Sequence, residues 1–485
     1  DDIGNAERFI ARVGGDVRET QRLGVFVWDG RRWALDDGAV AVTIKAQAVA
    51  RAILGEAKML YAEARALPDD GKDDVEKPKK AALSAAAGHM AWARSSANAA
   101  KLSAMVSQAL PHLNVPLETW NATPTLFNTP DGVVDLASLE PVLSPHRREH
   151  FMTRMAATPF RPDAVAPLWR AFLEKMLPDP EIRAFVQRCL GCCLVDSASD
   201  QVVIVFHGAG ANGKSTVLDV VCDVLGDYAM SASVQTFLAH NNATGSNPQP
   251  DVVRLAYRPR LVRTAEPPPG SRLAEGVIKE VTGGEPMVAR DLQEKPIEFV
   301  PGWKLFISCN NLPSVRGGDD GIWRRILLVP WGVQIPREER DVNVKMKLLA
   351  EREGVLAWLL EGWADWHERG GLDPPAAVLA ASELYRAESD PVGQFVNEWC
   401  ERGPGLEEAT TLLHDAFEAW CKVEGMEPVN GNVFGKRLSD RGYGRRKSSG
   451  VTYRTGLKLT PDAAEHGRDR EADRLQRGRR TEQSP

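Results

Sequence analysis

Residues 201–216 read QVVIVFHGAGANGKST, and the way this stretch divides into three parts decides the fold. Val202 to Phe206 is a β-branched and aromatic run with the length of a buried strand. Gly208, Gly213, Lys214 and Ser215 then fit G-x-x-x-x-G-K-S/T, and VLDVVCDVL beyond them has the spacing of an amphipathic helix. Glycines at Gly208, Gly210 and Gly213 let backbone N–H groups curl closely around anionic oxygens, and the positive end of the following helix points at the same place. The pattern assigns the whole loop to a phosphate cradle: Gly208, Ala209, Gly210, Ala211, Asn212, Gly213, Lys214, Ser215 and Thr216. Lys214 is placed to reach the β- and γ-phosphates of ATP as a point charge, and the Ser215 hydroxyl to ligate Mg2+. A chance match on a glycine-rich turn is the competing reading, and the strand directly ahead weakens it.

Outward from this loop, 485 residues allow about three domains with substantial cores. The 60 Lys and Arg against 66 Asp and Glu give a charge of −6, so any contact with DNA must be local. Seven cysteines include RCLGCCL, residues 188–194, where Cys189, Cys192 and Cys193 lack a second pair or nearby histidines; a buried helix face fits better than zinc. A reduced, cytosolic setting is expected. No uninterrupted apolar run approaches membrane-span length and DDIGNAERF is no signal peptide, so no membrane partner is expected.

Ahead of the loop, VFVWDGRRWALDD predicts two strands around a turn at Asp29 and Gly30, with Trp28 and Trp33 packing a small core. Residues 43–110 have helical spacing, interrupted by PDDGKDDVEKPKK, read as an exposed mobile loop. TLFNTPDGVVDLASLEPVLSPH predicts a hairpin turning at Pro130 to Gly132, and helices dominate from Pro167 to Val195.

Behind the loop, NNATGSNPQP is read as flexible, and three further strands are expected. RLVRTA ends at Glu266, KLFISC ends at Asn310, and ILLVP follows Arg324 and Arg325. Strands separated by crossover lengths, with polar residues at their ends, describe a parallel α/β sheet with its ligand at the carboxyl edge. Pro286 to Val300 predicts a hairpin with a charged tip at Asp291 to Lys295. The tryptophan-rich helices from Val344 to Leu384 suit packing against this sheet. Beyond Asp390, two helices and a hairpin turning near Ser449 and Gly450 suggest a winged-helix module, locally basic through Arg437, Arg441, Arg445, Arg446, Lys447 and Arg454. Such arginines either bind DNA or keep an exposed face soluble. The tail beyond Pro461 is expected to be disordered.

GAGANGKST, the strand ending at Glu266, IKEVTGGEPMVAR, FISCNNLP and GIWRRILLVPW, in this order, resemble the superfamily 3 helicases. The match is nearest to the helicase half of phage and plasmid primase-helicases, related to the poxvirus primase-helicase. DIGNAERF, VWDGRRW and LFNTPDGVVDL resemble the helical domain that precedes the motor there. The resemblance implies an AAA+-like P-loop ATPase domain with a parallel sheet, after a mainly helical domain and before a winged-helix-like one. The domains are expected at 1–165, 166–385 and 386–460, with a tail at 461–485.

By that resemblance Glu266 is the acidic residue ending the second motor strand, and Asn310 the polar sensor that orients the attacking water. Many related ATPases end this strand with two carboxylates; Ala265 precedes Glu266 here, so general base, Mg2+ partner and both remain open for Glu266. Arg325, with Arg324 beside it, falls where the family places the arginine that reaches into a neighbour's ATP. Lys295 lies near the tip of the hairpin that grips single-stranded DNA inside the family's ring, and Arg445, Arg446 and Lys447 would add contacts from the wing.

The implied activity is an ATP-driven DNA helicase in phage or plasmid replication, a homo-oligomer of hexameric-ring type acting on single-stranded or forked DNA in the cytoplasm of a bacterial host. A primase is implied either ahead of Asp1 or as a partner. The alternative is a nucleotide-switched initiator or loader that binds DNA without processive unwinding. A small-molecule kinase on the same loop fits the long flanking regions poorly.

Overall fold

The computed structural model describes the chain apart from residues 22, 69–72, 240–249, 257, 291–295, 316–319, 425, 427 and 482–485. In chain order the amino-terminal region runs α1 (Asp2–Val13), β1 (Val17–Thr20), β2 (Gly24–Trp28), β3 (Trp33–Leu35), α2 (Val40–Ala66), α3 (Asp73–Ser96) and α4 (Ala99–Ala109). The hairpin at Asp29 and Gly30 gains a further strand, giving the antiparallel sheet β1-β2-β3. Trp33 is fully buried against Phe26, Trp120 and Phe151, as the sequence suggests. Part of the stretch read as a loop is helical: α3 begins at Asp73 and continues through Pro78. Residues 69–72 of that loop, residues 241–249 of NNATGSNPQP and the hairpin tip 291–295 lie outside the described residues.

The helical stretch Asp37–Ala66, which contains α2, is by length and composition long and apolar enough to cross a membrane, with a mean hydropathy of 1.3 over an 18-residue window, although no uninterrupted apolar run marks it. Alanines raise the hydropathy while leaving the pattern broken, and Val42, Ala46, Val49 and Ile53 pack into a core shared with α1 and α4.

A second sheet, β4 (Leu126–Thr129), β5 (Gly132–Asp135) and β6 (Val142–Ser144), leads into α5 (Pro167–Met176) and α6 (Pro180–Gly191). Asp179 caps α6 through the N–H groups of Glu181 and Ile182, the role a short acidic side chain fills at a helix start. Cys189, Cys192 and Cys193 are completely buried on its far end.

The central sheet is parallel. Its strands are β7 (Val203–His207), which is followed by α7 (Lys214–Leu225), then β8 (Ala229–Ala232). After α8 (Pro250–Leu255) come β9 (Leu261–Thr264), α9 (Glu275–Gly283), the hairpin β10 (Met287–Ala289) and β11 (Ile297–Phe299), and β12 (Lys304–Cys309). A short α10 (Asp320–Trp323) precedes β13 (Ile326–Pro330). The order across the sheet is β13-β7-β12-β9-β8, all pairs parallel. Four of the strands follow the sequence reading; β8, AMSA, carries too little apolar pattern to be seen there.

Alternation along the strands builds two cores. Ile204, Phe206, Phe306 and Val329 face α7, α6 and the tryptophans of α12 (Arg352–Arg369, after α11, Val344–Leu349). Val203, Val205, Leu305 and Ile307 face α9 and the β10–β11 hairpin. Trp358 packs edge-on to Trp169 of α5, so the tryptophan-rich helix covers the parallel sheet as expected.

Beyond α13 (Ala376–Glu388), Ser389 and Asp390 alone separate it from α14 (Pro391–Trp399). The last region then runs β14 (Cys400–Ala409), α15 (Thr410–Val423), α16 (Gly431–Asp440), β15 (Gly444–Ser448) and β16 (Val451–Leu459), with antiparallel order β14-β16-β15. Helix, strand, two helices and a hairpin thus share one core here, with the two helices and the hairpin where the sequence reading expects them. The expected disordered tail is instead a helix, α17 (Pro461–Thr481). Proline at its first position and good helix formers start it, Ala463 and Ala464 are buried against the domain core, and Arg470 pairs with Glu418 of α15.

Candidate functional site

The glycine loop sits at the carboxyl end of β7, where open parallel sheets bind ligands. Two of its glycines are required by geometry. A Cβ on Gly208 would stand 2.1 Å from the Trp331 carbonyl oxygen. Gly213, which starts α7, has φ +80°, and a Cβ there would meet Met176 at 2.8 Å. Ala211 adopts φ +60°, outside the usual range for a residue with a side chain, and its carbonyl accepts from Ile335 N at 2.8 Å.

Lys214 is 4% exposed. Its Nζ donates to the Gly208 carbonyl at 2.6 Å, to Asn212 Oδ1 at 3.0 Å and to Asn310 Oδ1 at 3.1 Å. Burial holds its ammonium below the usual lysine range, with Cys309 and Glu266 opposing that shift. The Cys309 thiol beside it is pushed up to about 12, chiefly by burial.

Glu266 follows β9 and Asn310 follows β12, neighbouring strands in register, so the two meet at the sheet edge. Asn310 donates from its backbone N–H to Glu266 Oε1 at 2.8 Å and from its side-chain amide to Oε2 at 3.0 Å. Lysine, asparagine and glutamate therefore form one connected set. Around them lies a cavity of about 520 Å³ lined by Gly210, Ala211, Asn212, Lys214, Ser215, Glu266 and Asn310. Ala209 and Ser215 are exposed on the loop and Thr216 is half-buried at the start of α7.

Sequence reasoning missed four further polar residues lining this cavity: Ser231, Arg263, Thr264 and Ser308. Arg263 lies on β9 and pairs with Asp219 of α7, and its Nε donates to Ser231 Oγ at 3.1 Å. An arginine between apolar strand residues was the available signal.

The loop residues and Glu266 suit a nucleoside triphosphate with Mg2+ chemically: a caged ammonium, a helix amino terminus, an exposed hydroxyl and a carboxylate opposite.

Arg324 and Arg325 part company. Arg325, 9% exposed, turns inward, where Nε donates to Thr282 Oγ1 at 3.2 Å and Nη1 to the Gly321 carbonyl at 2.6 Å. Arg325 is thus turned inward, away from the surface on which the resemblance places an arginine shared with a neighbour. Residues on either side of a strand entry point to opposite sides, and Arg324 is the exposed one. It borders a groove of about 460 Å³ with Asp320, Trp323, Leu379, Glu383 and Arg386.

Lys295 lies outside the described residues, although the strands of its hairpin pair Met287 with Phe299 and Ala289 with Ile297. On the β15–β16 hairpin, Arg445 and Lys447 are exposed. Arg446 makes a two-fold ion pair with Glu407 at 2.5 and 2.8 Å and stacks over Tyr453. Arg454, 2% exposed, bonds Ser439 and the Gly435 carbonyl, Arg437 is 6% exposed, and Arg441 pairs with Asp390. Half of the basic cluster is thus internal scaffolding.

Residues 6–178 match the family described as D5 N terminal like, and residues 387–447 the one described as Poxvirus D5 protein-like. The chain is 30% identical over 280 residues to "Putative helicase 022R" of Frog virus 3 (isolate Goorha), covering 54% of this chain and 28% of that protein. It is 26% identical over 270 residues to "Putative helicase L207/L206" of Acanthamoeba polyphaga mimivirus, covering 52% and 28%. With "Putative primase C962R" of African swine fever virus (isolate Warthog/Namibia/Wart80/1980) it shares 23% over 214 residues, 43% of this chain and 22% of that one. The matches thus span under a third of those relatives' length. A solved structure titled "The A form apo structure of NrS-1 C terminal region-CTR" covers 68% of this chain and 95% of its own, at 11% identity and a TM-score of 0.34, a likeness too loose to bear on the fold.

Proposed function

Since the chain belongs to the poxvirus D5-like family of primase-helicases, we propose that it is the ATP-hydrolysing motor of a DNA helicase acting on single-stranded or forked DNA in replication. The observation that carries this reading is the connected set Lys214, Asn310 and Glu266 at the mouth of the glycine loop. In this proposal the loop from Gly208 to Thr216 binds the triphosphate, and Ser215 with Glu266 holds the Mg2+. Bound there, Mg2+ and the triphosphate supply a polarised γ-phosphoryl group as electrophile. Lys214 neutralises charge on the phosphate oxygens. Asn310 orients the attacking water, and Glu266 takes its proton or steadies the metal.

Arg324 is the arginine offered to a neighbouring copy, in a closed ring of hexamer type whose site is completed between subunits. The β10–β11 hairpin, with Lys295 at its tip, and the wing residues Arg445 and Lys447 hold DNA phosphates. A phage or plasmid origin, a bacterial cytoplasmic setting and a primase working with the motor belong to the same proposal.

Strand displacement on a forked duplex tests it, with ATPase measured with and without single-stranded DNA. Hydrolysis stimulated by the strand, with displacement, is expected. DNA binding and hydrolysis without displacement would favour the initiator or loader reading instead.

A further inference from the structure

Two cations are buried at the opposite end of the sheet from the glycine loop, and the chemistry above uses neither. Arg260, at the foot of β9, is 3% exposed, and among the described residues its hydrogen bonds go to backbone carbonyls. It donates to the carbonyls of Leu194, Pro124 (3.3 Å) and Leu126 (2.5 Å), and its guanidinium lies 4.5 Å from the Tyr228 ring centroid. Lys304, at the foot of β12, is also 3% exposed; it bonds the Ser197 carbonyl and stands 3.4 Å from Asp200. Asp200 in turn accepts from Trp366 Nε1 at 3.1 Å.

Both cations close on one segment, the connector from Leu194 to Asp200 that enters β7, and Arg260 also grips the β4 end of the amino-terminal hairpin. The two strands they begin are those whose far ends carry Glu266 and Asn310. The feet are joined as well, Lys304 N donating to the Arg260 carbonyl at 2.8 Å. Apolar side chains would fill such positions at lower desolvation cost, but would leave these carbonyls unpaired and fix no direction.

We propose that Arg260 and Lys304 are positioning residues for the Glu266–Asn310 pair. They fix β9 and β12 against the connector and the β4 hairpin, so that displacement of the amino-terminal region is carried along these strands to the site. This rests on the proposed ATPase reading for its consequence in turnover, and on geometry alone for the mechanical link.

The test uses the full chain with Lys304→Met and Arg260→Met, measuring turnover, affinity for a fluorescent ATP analogue and amide hydrogen exchange. Turnover should fall about tenfold or more while affinity stays within about threefold. Exchange should rise in peptides spanning 261–267 and 304–311, where the Asn310 N–H meets Glu266, and stay unchanged in α12. Unchanged exchange at those peptides, or a rise spread evenly over the chain, would overturn the link. If a methionine variant does not fold, Asp200→Asn is measured in the same way and read by the same criteria. A parent protein without ATPase activity would defeat the proposed function, while the exchange pattern still decides the positioning role.

Discussion

Asn310 closes on both oxygens of Glu266, at 2.8 and 3.0 Å, while its own Oδ1 accepts from Lys214 at 3.1 Å. One amide therefore holds the cation and the carboxylate of the site in a single network. Each member has a separable task, and the tasks can be measured.

Lys214→Ala is expected to lower ATP hydrolysis on the order of 100-fold or more, with the circular dichroism of the parent. The ammonium is the buried cation of the loop, and alanine at the start of α7 favours the helix. Near-normal steady-state turnover would remove this residue from the mechanism.

Glu266→Gln should keep nucleotide binding and lose most turnover, because the amide retains the shape but cannot take a proton or support Mg2+ as a carboxylate does. Binding is read by analogue fluorescence and turnover by phosphate release. Retained hydrolysis would move the search to Asp251 or Glu280, of which Glu280 lies exposed on α9.

Arg324→Ala and Arg325→Ala should differ in kind. Loss of Arg324 is expected to cut turnover about 100-fold or more with unchanged affinity and unfolding midpoint. Loss of Arg325 leaves Thr282 and the Gly321 carbonyl without their buried donor and should cost about 2–3 kcal/mol of stability. Mixing Arg324→Ala with Lys214→Ala protein should restore some ATPase, since a mixed ring pairs an intact lysine with an intact arginine. No recovery in rings shown by exchange labelling to be mixed would exclude action between subunits.

Arg445→Ala with Lys447→Ala should weaken single-stranded DNA binding and reduce the salt slope by about 0.7 per lost phosphate contact. Arg446→Ala should do less, its guanidinium being engaged by Glu407. Lys295→Ala is expected to slow unwinding and weaken salt-sensitive binding more than it lowers basal ATPase. Wild-type unwinding across a salt series would rule the hairpin lysine out.

The thiols of Cys309 and Cys400 are both pushed up to about 12, mainly by burial. At pH 8 almost no thiolate is present, so iodoacetamide should label them only after unfolding. Mass spectrometry of protein alkylated before and after urea gives the answer; fast native labelling would mean the site opens readily.

The glycine loop, four strands and the β15–β16 hairpin were legible in the sequence, because each is set by a local pattern of glycines or alternating apolar residues. The inward turn of Arg325 was not, since adjacent arginines are alike in composition and only the entry to β13 separates them. Arg263 and the buried feet of β9 and β12 depend on contacts with distant segments. The helix α17 is charged enough to suggest disorder, and two alanines against the core decide otherwise.

Ser389 and Asp390, the whole junction between α13 and α14, span at most about 7 Å when extended. Asp390 is also occupied, accepting from Gly393 N and pairing with Arg441. The carboxy-terminal region is therefore bolted on, without a tether's slack. In the proposed ring each wing would keep a fixed station like a tooth on a gear, and DNA held there would feel every turn of the motor beneath it.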